Sequence, residues 1–99
     1  MGRTVSRGCR VVAAREQVST DLGDETAILH LEAGTYYGLD AVGARIWKLV
    51  QEPTTVEEIR DALVGEYEVD YQRCEGDLIS LLQALADEGL LEVRDGKSP

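Results

Sequence analysis

Residue types able to do covalent or metal chemistry are sparse in this chain. His30 is its one histidine, and Cys9 and Cys74 are its two cysteines. A Cys–His nucleophile needs a thiol beside the imidazole and a third group to orient the ring. The spacing of Cys9, His30 and Cys74 points to no such set. Zinc needs three or four ligands in a small volume, and two distant thiols make neither a CxxC pair nor a zinc pattern. Asp21, Asp24 and Glu25 cluster around Gly23, where a turn explains them better than a calcium loop does. Gly34, Gly38 and Gly43 lack the strand–loop–helix frame of a phosphate cradle. The expected chemistry is binding, not catalysis, with no cofactor and no metal. Cys74 is expected to be a small core residue, Cys9 to lie in a mobile segment, and His30 to sit on a sheet surface.

Charge narrows the partner. The chain has 99 residues and a net charge of −9. Residues 1–15 hold four arginines and no acid, while residues 16–99 hold six Lys/Arg against 19 Asp/Glu, a balance of −13. Phosphate binding needs clustered positive charge, so nucleic acid is an unsuitable partner for the acidic part. A basic peptide would be steered towards it. No apolar run approaches the roughly 20 residues that span a bilayer. Met1 to Arg15 lacks the apolar stretch of a secretion signal. The expected location is the cytoplasm, with both thiols reduced and no membrane partner.

The elements that must position a binding surface follow from periodicity. Val11 and Val12 start a β-prone stretch that Val18 to Leu22 continue, Gly23-Asp24 makes a turn, and Thr26 to Leu31 forms a second strand. Glu32-Ala33-Gly34 is a short loop, and Thr35 to Leu39 returns. This loop length sets Leu31 opposite Thr35, Leu29 opposite Tyr37 and Ala27 opposite Leu39. Ala27, Leu29, Tyr37 and Leu39 then share one face, and Ile28, His30 and Tyr36 the other. Asp40 caps a helix with the stripe Val42, Ile46, Leu49 and Val50, and Trp47 on its flank. Thr55 and Glu58 make a capping box for a second helix through Val56, Ile59 and Leu63. Asp70 caps a third, with Cys74, Leu78, Leu81, Leu82 and Leu85, stopped by Gly89. The expected fold is α+β and winged helix-turn-helix-like: a three-stranded antiparallel sheet followed by three helices. The expected domain covers 10–94, between a flexible N-terminus 1–9 and a flexible tail 95–99.

One stretch resembles a known family. It runs from Ile28-Leu29-His30-Leu31 through Glu32-Ala33-Gly34 and Tyr36-Tyr37-Gly38-Leu39-Asp40 to Val42-Gly43-Ala44-Arg45-Ile46-Trp47. It is similar to the signature of PqqD-like proteins. Residues 55–67 and 74–91, closing on Gly89-Leu90-Leu91, resemble that family's second and third helices. The resemblance implies a recognition element for ribosomally made, post-translationally modified peptides, which does no chemistry itself. It binds the precursor's leader by strand addition and presents the peptide to a modifying enzyme. The Tyr-Tyr-Gly-Leu-Asp wording looks most like the discrete members of lasso peptide clusters, whose partner is a leader peptidase. A chaperone for a radical SAM enzyme is the alternative within the family.

On this reading the leader would contact Thr35, Tyr36, Tyr37, Gly38 and Leu39 on the edge strand. It would rest on Arg73, Cys74, Asp77, Leu78 and Leu81 of the third helix. A structural dimerisation module is the competing class, since an open strand edge can pair with its own copy. The sequence alone identifies neither the leader bound nor the modification made, and it gives residues 1–15 no role.

Overall fold

A computed structural model of the chain describes residues 5, 6 and 8–94. Its elements in chain order are β1 (Arg10–Ala13), β2 (Gln17–Leu22), β3 (Glu25–His30), β4 (Tyr36–Leu39), α1 (Ala41–Leu49), β5 (Thr54–Thr55), α2 (Val56–Glu66), α3 (Tyr71–Asp87) and β6 (Leu91–Arg94). They make an α+β fold with three helices and two three-stranded antiparallel sheets, ordered β2-β3-β4 and β5-β1-β6.

The second sheet departs from the sequence reading. The β-prone stretch 11–22 is two strands, broken at residues 14–16. β1 leaves the meander and pairs instead with β6, a strand beyond the Gly89 stop that the periodicity does not predict. The Val11 side chain, fully buried, explains the placement: it enters the core under the helices. The Ala13 amide donates to Val50 and the Ala14 amide to Leu90, tying β1 to the ends of α1 and α3.

All three helices begin at the expected caps. Asp40 accepts from the Gly43 amide at 2.8 Å, and Asp70 from the Arg73 amide at 3.0 Å. The Thr55 hydroxyl accepts from the Glu58 amide and donates to the Glu58 carboxylate, both at 3.1 Å. Each cap satisfies one of the orphan amides of a first helical turn. α3 ends in a Schellman motif: Leu90 N–H reaches the Leu85 carbonyl and Gly89 N–H that of Ala86. Gly89 takes φ +75 there, a conformation that suits a residue without a Cβ.

The core gathers Val11, Ile28, Val50, Val56, Ile59, Leu78, Leu82, Leu85 and Leu90. Trp47, expected on the flank of α1, is 3% exposed. The buried residues of α1 are thus Gly43, Ala44, Ile46 and Trp47, with Val50 at its C-cap, which leaves Val42 outside them. α2 and α3 are joined by Arg60, whose guanidinium meets Glu75 at 2.6 Å and lies 4.2 Å from the centre of the Tyr71 ring. Val5 and Cys9, in the segment expected to be frayed, are buried; the Val5 amide donates to Gln83 at 2.7 Å. Residues 1–4, 7 and the tail 95–99 lie outside the described residues.

The β3–β4 register differs from the expected one by one residue. Ile28 pairs with Tyr37, Leu29 with Tyr36, and Ala27 with Gly38. The loop is longer than its Glu-Ala-Gly centre suggests. The His30 amide donates to the Thr35 carbonyl, and Gly34, at φ +71, donates back to the His30 carbonyl. Leu31 therefore belongs to the loop. A one-residue slip reverses which face of β3 meets the core. Ile28 and Thr26 are buried on the same face as Tyr37 and Leu39, while Leu29 is exposed beside Tyr36 on the other face, which also carries the buried Ala27.

Candidate functional site

β4 is an outer strand of its sheet, with β3 on one side. Its backbone can be divided between neighbours. In an antiparallel ladder, residues alternate between those bonding inward to the next strand and those bonding outward. The His30–Thr35 bond fixes the phase. Tyr37 and Leu39 then bond to β3, and Tyr36 and Gly38 turn their N–H and C=O groups to the open side. An open edge of this kind is a template for another strand.

A groove of about 820 Å³ runs beside that edge. One wall is β4 and the start of α1, with Tyr37, Gly38, Leu39, Val42 and Ile46; the other is α3, with Arg73, Cys74, Asp77, Leu78 and Leu81. The floor is apolar and reaches Leu63 of α2. Eight of the ten residues singled out from the sequence line this groove. Thr35 and Tyr36 do not; both are exposed, and Tyr36 points to the opposite face of the sheet.

Sequence reasoning missed the α1 wall and the α2–α3 connection. Val42 was read into the buried stripe, but it is 43% exposed and lines the groove. Val69, 46% exposed, does the same from the connection. Gly43 permits the tight junction: a Cβ there would stand 3.2 Å from Leu39 and from the Asp40 carboxylate. An apolar valine between acids at 68–70 was the available signal.

The groove is acidic at its mouth. Asp40, Glu68, Asp70 and Asp77 line it against one cation, Arg73. Asp40 and Asp70 are engaged as helix caps. Burial, and then Asp77, push the Cys74 thiol above its ordinary pKa. A thiol held in that form is a poor nucleophile. Among the described residues no three His, Cys, Asp or Glu are placed to hold a metal ion. His30 accepts a hydrogen bond from the Ala33 amide at 3.1 Å and lies remote from both thiols in sequence, capping the β3–β4 loop. No helix among the described residues is long and apolar enough to cross a membrane.

The charge of α3 decides one further outcome. A helix read into a DNA groove needs cations along its outer face. α3 offers Arg73 among Glu75, Asp77 and Asp87. At physiological salt, a gel shift with mixed duplexes is expected to show no complex at micromolar protein. Micromolar binding that weakens steeply with salt would reverse this expectation.

The fold has counterparts among proteins of known structure. A structure described as TbiB1 in complex with the TbiA(beta) leader peptide is 46% identical, with a TM-score of 0.77, over 89% of this chain and 99% of that one. A second, described as lasso peptide synthetase B1 complexed with the leader peptide, is 21% identical with a TM-score of 0.73, over 82% of this chain and 95% of that one; it supports the fold. No curated protein matches the chain. The family of coenzyme PQQ synthesis protein D (PqqD) matches residues 25–91, a span that holds β3, β4, all three helices and every residue of the groove, and the chain belongs to that family.

Proposed function

We propose that this protein binds the leader segment of a ribosomally made precursor peptide as an added strand on β4. It performs no catalytic step itself and presents the peptide to an enzyme that cuts or modifies it. One observation carries the reading: the outward backbone groups of Tyr36 and Gly38 stand beside an apolar groove of about 820 Å³. Main-chain pairing on the edge supplies affinity, and side chains entering the groove supply specificity. A strand added there directs alternate side chains into the groove, opposite Tyr37 and Leu39. The 46% identical relative, described in complex with a leader peptide, supports the same use of this chain. The resemblance of residues 36–47 to discrete members of lasso peptide clusters favours a leader peptidase as the enzyme served.

Fluorescence anisotropy with a labelled leader tests the reading. Binding is expected in the presence of chelator and without nucleotide, and its loss in chelator would overturn the metal-free account. On adding leader, the largest amide shifts are expected at residues 35–39 and 70–84, with 55–66 nearly silent. A response centred on α2 with β4 unchanged would rule out strand addition.

A further inference from the structure

The face that α3 turns to α2 changes character along the helix. Leu78, Leu82 and Leu85 follow one another on it and are buried. Nearer the start of the helix, Tyr71 and Glu75 occupy the same face. The groove takes Arg73, Cys74 and Asp77 from this same N-terminal half. The part of α3 that faces the peptide therefore has no leucine between it and α2.

Arg60 of α2 takes the place of that packing. It is 6% exposed and lies outside the groove. Its Nη1 donates to Glu75 at 2.6 Å, and its Nη2 and Nε donate to Asp61 at 3.1 and 3.2 Å. The guanidinium also lies over the Tyr71 ring. The Asp61 side chain is 63% exposed, so solvent screens its share, whereas Glu75 is 14% exposed. Tyr71 and Glu75 stand one turn apart, so a single planar fork fixes both the distance and the rotation of the first turns of α3. Tyr71 directly follows Val69 and Asp70, which line the groove. The other end of this connection is held by Arg45 of α1, which meets Glu66 at 2.7 Å.

We propose that Arg60 is a positioning residue for the leader: without touching the peptide, its guanidinium holds the first turns of α3 and the Val69–Asp70 wall at the spacing from β4 that an added strand needs. The inference rests on the strand-addition reading above. A buried ion pair adds little net stability, because the cost of taking both charges out of water offsets their attraction. Apolar side chains of similar volume would hold α2 and α3 together as firmly. They lack the directional bonds that fix one helix against the other at a set angle. Loss of the pair therefore costs affinity and spares the fold.

The test uses the full chain with Arg60→Met and Glu75→Leu together, so that neither charge is left buried alone, and separately Arg60→Lys. Leader affinity is measured by anisotropy, stability by thermal midpoint, and local geometry by the amide shifts of the peptide-free chain. The double variant is expected to melt at or above the unaltered midpoint. Its leader affinity is expected to fall about tenfold or more, the scale on which substitutions outside a site act upon it. Arg60→Lys keeps the charge, but an ammonium cannot reach both carboxylates in one plane while lying over Tyr71. It is expected to lose affinity too. In both variants the amide shifts that change without peptide are expected at residues 67–77, with 25–39 unmoved. Full leader affinity in Arg60→Lys, or in the double variant at an unchanged midpoint, overturns the inference. So does an affinity that falls only in step with the midpoint, or a shift pattern that spreads into β3 and β4, since either makes Arg60 an ordinary core residue. If the double variant fails to fold, Arg60→Lys decides alone. If the unaltered chain fails to bind leader, the strand-addition reading falls first and this inference with it.

Discussion

Gly38→Pro is expected to abolish leader binding while leaving the fold in place. The reason is the phase of the β4 backbone. Gly38 pairs across from Ala27, flanked by the pairs Ile28–Tyr37 and Thr26–Leu39. The His30–Thr35 bond makes 35, 37 and 39 the residues that bond to β3. The Gly38 amide therefore faces the open side, and proline at 38 costs the sheet no internal hydrogen bond. An outer strand with its N–H side open is where proline is tolerated. There is also room, since nothing lies within 4 Å of a Cβ at Gly38, and its φ is not positive. For an added strand the change is severe. The donor is gone, and the ring occupies the line of approach. In a helix interior a misplaced proline costs about 3 kcal/mol or more, and a loss of that size on this edge is about 100-fold in affinity. Tyr36→Pro should act alike. Tyr37→Pro is the contrasting control, because it removes a β3–β4 bond and should lower the melting temperature. Equal leader affinity for Gly38→Pro and the unaltered chain would exclude pairing on this edge.

How far this arrangement could be read from the sequence varies by element. The helices and their caps were legible because Asp40, Thr55 and Asp70 precede apolar periods, and Gly89 ends the last one. These are local signals. The groove wall on α3 was legible for the same reason. The β3–β4 register was not. It depends on whether the loop closes at Leu31 or at His30, and Glu-Ala-Gly permits both. The structure takes the longer loop, which sets Ile28, fully enclosed, on the face of Tyr37 and Leu39 and leaves the smaller Ala27, also buried, on the other face. Tyr36 and Tyr37 kept their expected directions, since two adjacent residues of one strand must oppose each other whatever their partners. The sheet β5-β1-β6 was also hidden. Its strands are two to four residues long and come from three distant parts of the chain. Val42 and Trp47 exchange expected places because the apolar stripe of α1 is wider than the core can cover, and the larger side chain takes the buried position.

Leu81→Glu is expected to weaken leader binding by about 100-fold or more with a tolerable loss of stability. α3 shows two kinds of leucine within one turn. Leu82 is fully buried among the helices, whereas Leu81 is half-buried and forms part of the groove wall. In the free protein a glutamate at 81 can turn its carboxylate toward the open groove and keep water. Once a peptide covers the groove, that carboxylate must be desolvated, and an unpaired ion costs several kcal/mol to bury. The groove offers it Arg73 alone as a cation, against Asp40, Glu68, Asp70 and Asp77. The added charge thus meets repulsion as well as dehydration. Leu82→Ala is the matched comparison. It removes core volume and should cost about 2–5 kcal/mol of stability, a large part of the 5–15 kcal/mol typical of a small domain. Affinity of its folded fraction should stay near that of the unaltered chain. Denaturant melts and anisotropy on the two variants separate these outcomes. If Leu81→Glu bound normally, the peptide would have to lie elsewhere than between β4 and α3. If Leu82→Ala lost affinity while still folded, the groove would owe its shape to the packing beneath it, and specificity would reside in the core as much as in the wall.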